Sequence, residues 1–156
     1  ATGNTPLRPP IAGSDRVGHF ALDCAETATK LKAWLSKRPV RNAAILGASW
    51  EAIRWAKTLQ GFGISTTLIT ESDHLAPLCE PVQSVAVTQA LRQLGVRVMM
   101  GRSVERFAGA APSDALASML RLRDGETVAA DVVLLCSGRV ANSRLAYEAG
   151  LPVGLG

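Results

Sequence analysis

Apolar residues along the chain come in short blocks punctuated by glycine, and the blocks alternate between two spacings. Asn42-Ala-Ala-Ile-Leu46 is a continuous apolar run, the pattern of a strand buried on both faces. Gly47-Ala48-Ser49 follows as a turn of small residues. Over Trp50–Gln60 the small or apolar positions 52, 53, 56 and 59 recur at helical spacing, and Gly61 and Gly63 close the helix. Thr66-Thr-Leu-Ile-Thr70 reads as a second, β-branched strand. A strand–turn–helix–strand unit of about 30 residues has the size of a βαβ crossover.

The alternation continues downstream. Pro81 suits a first helical position, Val82–Leu94 carries apolar positions 82, 85, 86, 90, 91 and 94, and Gly95 ends that helix before a third strand, Val96–Met100. The period then changes. Val104–Ala108, Ala117–Leu122 and Thr127–Ala129 read as short strands, with Asp124-Gly125 as a tight hairpin turn. Asp131–Cys136 is again a buried strand, followed by Ser137-Gly138, and Leu145–Gly150 is a short helical turn. Upstream, His19–Leu22 reads as a short strand. Residues 25–37 form a helix with apolar positions 28, 31, 34 and 35, capped by Asp23 and stopped by Pro39. Residues 1–18, rich in proline and glycine, read as an extended linker, and 19–156 as one domain. The expected fold class is α/β, a Rossmann-like three-layer parallel sheet with an inserted antiparallel β-meander.

Composition narrows the function classes. Hydrophobic residues make up 47% and charged residues 19%, ordinary for a globular domain, while aromatics at 4% leave the core to Ala, Leu and Val. The net charge of +4 is spread over short clusters with no stacking aromatics, so no nucleic-acid surface is expected. Cys24, Cys79 and Cys136 form no C-x-x-C pair, which supports neither a zinc site nor a dithiol; three reduced thiols in a cytoplasmic protein is the plain reading. His19 and His74 stand apart from any metal or triad partners, so no catalytic or metal residue is assigned. No run of about 18 apolar residues predicts a membrane span. The chain opens on Ala-Thr-Gly without Met and closes on Leu-Pro-Val-Gly-Leu-Gly, which reads as a stretch cut from a longer polypeptide.

The candidate chemistry lies in the turn after the first buried strand. A dinucleotide-binding turn uses one glycine for the tight bend, a second for close approach to the pyrophosphate, and a third small residue for helix–strand packing. These positions are Gly47, Ser49 and Ala52, and the residues from Gly47 through Ala48, Ser49, Trp50 and Glu51 to Ala52 would offer backbone N–H groups at a helix N-terminus. The second strand should end on an acid for the adenosine ribose. Thr70 is in register there and Glu71 stands next to it, either as the substitute acid or as a plain loop residue. Ser72, Asp73 and His74 follow with no arginine for a 2′-phosphate, which tilts the reading toward NAD without excluding NADP.

With these motifs in this order, the sequence resembles the pyridine nucleotide–disulfide oxidoreductase superfamily of flavoproteins over nearly its whole length. Ala1–Gly13 resembles the A-T-G segment leading out of the family's first FAD-binding stretch, and Ile45–Arg54 its second, NAD-binding fingerprint. Leu75-Ala-Pro77, Leu91–Val98, Cys136–Asn142 (the family's V-G-x-x-P-N) and Glu148–Leu151 match further segments. The Gly-Ala-Ser variant is most similar to the branch of ferredoxin reductases, nitrite reductases and apoptosis-inducing-factor-like proteins.

The resemblance implies a division of labour. NAD(P)H docks on this domain and passes a hydride to FAD held mainly by a flanking domain, with FAD-binding and C-terminal domains of the same polypeptide as partners and a redox protein as acceptor. It places Gly138 where the last strand's loop approaches the dinucleotide. Trp50 takes the place of the aromatic near the nicotinamide, or is simply a core or interface residue, while Trp34 and Trp55 pack. Arg54 departs from the family, which has Glu there; a solvent-facing helix position also accounts for it. No FAD fingerprint and no redox disulfide motif is present, so the fragment by itself is expected to be inactive. The departures at Ser49, Arg54 and Thr70 keep an alternative open: a degenerate Rossmann domain without nucleotide binding, serving as a structural or partner-docking module.

Overall fold

The computed structural model describes residues 3–14, 16–22, 24–76, 80–109 and 118–154. Asp23, Pro77, Cys79 and Ala117, which the sequence reading used, lie outside them, as do residues 1 and 2 of the Ala-Thr-Gly start. The elements in chain order are β1 (Asn4–Pro6), β2 (His19–Phe20), α1 (Ala25–Lys37), β3 (Asn42–Leu46), α2 (Trp50–Gly61), β4 (Ser65–Ile69), α3 (Pro81–Gln93), β5 (Arg97–Met99), β6 (Val104–Ala108), β7 (Met119–Leu122), β8 (Thr127–Ala129), β9 (Val132–Leu135), β10 (Arg139–Ala141) and α4 (Arg144–Glu148).

Five parallel strands form the central sheet in the order β2-β9-β3-β4-β5. Because side chains alternate across a strand, each central strand serves both faces. Ala43 and Ile45 of β3, Leu68 of β4, and Val132 and Leu134 of β9 face the helices, packing with Leu31, Ala52, Ile53, Ala56, Leu59 and Leu91. Ala44, Leu46, Ile69, Val133 and Leu135 face the other way, onto Phe107, Leu120, Leu122 and Val128 of the meander β6-β7-β8. The three layers are therefore helices, parallel sheet and antiparallel meander, as the sequence pattern predicts. Small residues bring α2 close to β3: Ala52 and Ala56 are fully buried over Ala43 and Ile45.

Two expectations change. Of the apolar positions assigned to α3, Leu91 is buried but Val82 and Val85 are not. Val82 and Val85 are 79% and 56% exposed, and beside the expected Leu91 the helix buries Ser84 and Thr88. Both hydroxyls are satisfied internally: Ser84 Oγ accepts the Leu75 N–H at 2.9 Å, and Thr88 Oγ1 donates to the Ser84 carbonyl at 2.8 Å. Burying them therefore carries no penalty for a lost hydrogen bond. Second, the proline-rich N-terminal stretch contains an element. β1 pairs antiparallel with β10, Thr5 opposite Val140, and Ala12 bridges to Arg106 of β6. At α1 the N-cap residue is Cys24, with no side-chain cap bond. Trp34 and Trp55 pack against the helix-side core, Trp34 edge-on to Phe20 and donating to the Asp131 carbonyl at 3.2 Å.

Among the described residues no helix is long and apolar enough to cross a membrane, and no group of three His, Cys, Asp or Glu side chains is placed to hold a metal ion.

Candidate functional site

Parallel strands end on one side, and the sheet order places β4 and β5 on one flank of β3 and β9 and β2 on the other. The crevice outside β3 and β9 is thus the point where strand order reverses, the usual ligand position in an open α/β sheet. A cleft of about 390 Å³ opens there, walled by Gly47, Ala48 and Ser49 after β3, Thr70 and Glu71 after β4, and Cys136, Ser137 and Gly138 after β9.

Gly47 makes the bend possible. Its φ of +128° lies where side chains are strained, and a Cβ would fall inside the Cys136 carbonyl. β3 and β9 can approach at their ends only with glycine at this position. The Gly47 N–H donates to the Ile69 carbonyl at 2.9 Å and the Ala76 N–H to the Ala48 carbonyl at 2.7 Å, fixing the turn to β4 and to the loop beyond it.

Ser49 is the N-cap of α2. Its Oγ accepts the Ala52 N–H at 3.3 Å and donates to the Cys136 carbonyl at 3.3 Å. A helix leaves its first N–H groups without intrahelical partners. With that of Ala52 taken by Ser49, those of Trp50 and Glu51 remain directed out of the helix end, where the dipole is positive.

The sequence-derived residues divide into two sets. Gly47, Ala48, Ser49, Thr70, Glu71 and Gly138 come together on the cleft. Trp50, Glu51 and Ala52 stand in the first turn of α2 outside its lining. Ala52 is fully buried against the core, and Trp50 is 49% exposed, which excludes the core reading for it. Arg54 is exposed on α2, one turn beyond Trp50. Thr70 is buried, with Oγ1 accepting the Ser72 N–H at 3.1 Å; Glu71 is exposed, its carboxylate accepting the Ser103 hydroxyl at 2.6 Å. Gly138, with φ +108°, has open space where a Cβ would stand.

The sequence reading missed the opposite wall, Leu7, Pro9 and Ile11 from the N-terminal stretch and Arg102 and Val104 from the end of β5 and start of β6. The Leu7 N–H donates to the Gly138 carbonyl at 2.9 Å, so β1 and β10 carry that wall to the site. Arg102 had a legible signal, since it follows the third parallel strand and all such strands end at the same crevice. Cys136 is buried behind the turn. Burial, with a lesser contribution from the Glu51 carboxylate, pushes its thiol pKa up to about 12, so it is an inert thiol at neutral pH.

The cleft offers a ligand an open approach at Gly138 and polar groups at the end of β4, beside the unpaired N–H groups at the start of α2. The family model described as pyridine nucleotide-disulphide oxidoreductase matches residues 1–156. The epsilon subunit of NADH-dependent phenylglyoxylate dehydrogenase from Aromatoleum evansii is 30% identical over 139 residues, 88% of this chain and 32% of that protein. Nitrite reductase [NAD(P)H] of Bacillus subtilis is 30% identical over 162 residues, covering 100% of this chain and 19% of its own length. The structure of an NAD-dependent persulfide reductase from A. fulgidus superposes with a TM-score of 0.87 at 30% identity, covering 98% of this chain and 28% of that one. The chain thus spans about a third or less of the length of these relatives.

Proposed function

The chain belongs to the pyridine nucleotide-disulphide oxidoreductase family, and on that premise we propose that it is the NAD(P)H-binding domain of an FAD-dependent oxidoreductase. The observation that carries this reading is the cleft at the strand-order reversal, with Ser49, the N-cap of α2, on one side and Gly138 on the other. In the whole protein, bound NAD(P)H supplies a hydride and FAD on neighbouring domains accepts it. This chain's residues bind and orient. The Trp50 and Glu51 N–H groups take pyrophosphate oxygens, Gly138 admits the dinucleotide against β9, and Thr70 with Glu71 meets the adenosine ribose. Trp50 is exposed at the helix start, and the family resemblance would put it near the nicotinamide. The partners in this reading are FAD-binding and C-terminal domains of the same polypeptide and a redox protein acceptor. Names of relatives support the nucleotide: two are NADH- or NAD(P)H-dependent enzymes.

A second reading, a Rossmann-type domain that has lost the nucleotide, is favoured by Ser49, whose side chain occupies one of the N–H groups that a glycine would leave free. Calorimetric titration of the chain with NADH and with NADPH separates the two. Heat of binding from either nucleotide supports the first reading; none from either, with a folded sample, supports the second.

A further inference from the structure

The rim of the cleft at the end of β4 is built from two different elements. A dinucleotide lacking a 2′-phosphate is held at such a strand end by a carboxylate, whereas a 2′-phosphorylated one is met by a nearby arginine. β4 ends on Thr70, a neutral hydroxyl already accepting a backbone N–H. Glu71 has its Oε1 engaged by the Ser103 hydroxyl. Arg102 reaches the same rim from β5. β5 is in register with β4, Met99 opposite Ile69, and Gly101 turns the chain with φ +64°. The Gly101 N–H donates to the Ser72 carbonyl at 3.0 Å and the Arg102 N–H to the Thr70 carbonyl at 2.9 Å. These two bonds fix Arg102 against the end of β4, where it lines the cleft. Its guanidinium pairs with Asp124 in the turn between β7 and β8 and is 45% exposed. A guanidinium has five donors, so one carboxylate leaves several for a ligand.

We propose that Arg102 is the specificity-determining residue at the adenosine end, meeting the 2′-phosphate of NADPH, so that the chain takes NADPH at least as tightly as NADH. The inference rests on the dinucleotide reading of the cleft given above. Arginine and phosphate form paired, charge-assisted hydrogen bonds, the strongest type available on an exposed rim. Asp124 holds the guanidinium in place and competes with the phosphate for its charge. Glu71 opposes the phosphate from the same rim, and its bond to Ser103 draws its charge toward β6.

The test is calorimetric titration of the wild-type chain, Arg102→Ala and Asp124→Asn. The ligands are NADPH and NADH, with 2′,5′-ADP and ADP as probes of the adenosine end alone. Arg102→Ala should weaken NADPH and 2′,5′-ADP by about tenfold or more, the equivalent of one charge-assisted bond, and NADH and ADP by less than about threefold. Asp124→Asn should tighten NADPH and leave NADH unchanged. Equal losses for both nucleotides in Arg102→Ala, or an unchanged NADPH affinity, would overturn the inference. Wild-type chain that binds NADH and rejects NADPH also overturns it, while leaving the cleft as the dinucleotide site. Binding of neither nucleotide removes both readings together.

Discussion

The Ser49 hydroxyl donates to the Cys136 carbonyl at 3.3 Å, a side-chain tie between the ends of β3 and β9, the two strands flanking the cleft. The same oxygen accepts the Ala52 N–H at 3.3 Å, so one side chain both caps α2 and occupies a donor that a bound phosphate would use. On the proposed reading of the cleft, stability and ligand binding therefore compete at this position. Ser49 has ordinary extended backbone angles, φ −70° and ψ 164°, and does not need glycine for conformation.

Replacing Ser49 separates the two roles. Ser49→Gly should cost only a few tenths of a kcal/mol of stability. It should tighten dinucleotide binding by about threefold to tenfold, because the Ala52 N–H is released toward the phosphates. Ser49→Ala should cost about 1 kcal/mol, lowering Tm by roughly 2–4 °C. Thermal melts with parallel titrations measure both. Weaker binding in Ser49→Gly would mean that the hydroxyl itself contacts the ligand.

Two glycines on the cleft should respond in opposite ways. Gly47→Ala places a Cβ inside the Cys136 carbonyl and should prevent folding or cost more than about 2 kcal/mol. Gly138→Ala meets open space, so its cost should be limited to the strain of φ +108°, about 1–2 kcal/mol. The added methyl then stands in the dinucleotide's approach, and binding should fall while the fold persists. Circular dichroism and calorimetry on both variants check the contrast.

Cys136 gives the fold a pH dependence on the alkaline side. Its thiol pKa is raised from 9.0 to about 12, chiefly by burial. Between these values the unfolded chain releases the proton and the folded chain keeps it, so the unfolded state binds fewer protons and stability falls as pH rises. This contribution is fully present below pH 9 and is lost progressively toward pH 12. Urea denaturation at pH 8 and pH 10.5 should show lower stability at the higher pH, with Cys136→Ser losing part of that difference. Iodoacetamide at pH 8 should label the exposed Cys24 well ahead of Cys136.

At the opposite end of the same strands, Asp131 Oδ2 accepts the N–H groups of Arg41 and Asn42, both at 2.9 Å, pinning β9 to the start of β3. Asp131→Ala removes a charged acceptor from two donors and should cost about 2 kcal/mol. Because the cleft lies at the other end of the sheet, nucleotide affinity measured below the lowered Tm should be unchanged.

Much of this architecture is legible in the sequence for physical reasons. The buried face of α2, residues 52, 53, 56 and 59, follows the helical period because close packing on β3 admits only small or apolar side chains there. The face of α3 is legible only at Leu91, because Ser84 and Thr88 are buried through hydrogen bonds that a hydrophobic pattern cannot register. The same applies to the far wall of the cleft. β10 is exposed at all three residues and carries no burial pattern, and β1 exists through its pairing with β10, so Leu7 and Ile11 reach the site by a long-range contact. The turn Gly47–Ala52 is legible as a fingerprint; that its second position is a helix cap depends on where the Ser49 hydroxyl points, which spacing does not encode.

On the proposed reading, a dinucleotide sits at the strand-order reversal with its pyrophosphate on the first turn of α2. Backbone amide NMR of the labelled chain, titrated with NADH and then NADPH, tests it residue by residue. The largest shifts are expected at Ser49, Trp50, Glu51 and Gly138, with smaller ones at Thr70 and Glu71 and little change at Asp131. Shifts confined to other surfaces, or none at saturating nucleotide, would contradict it.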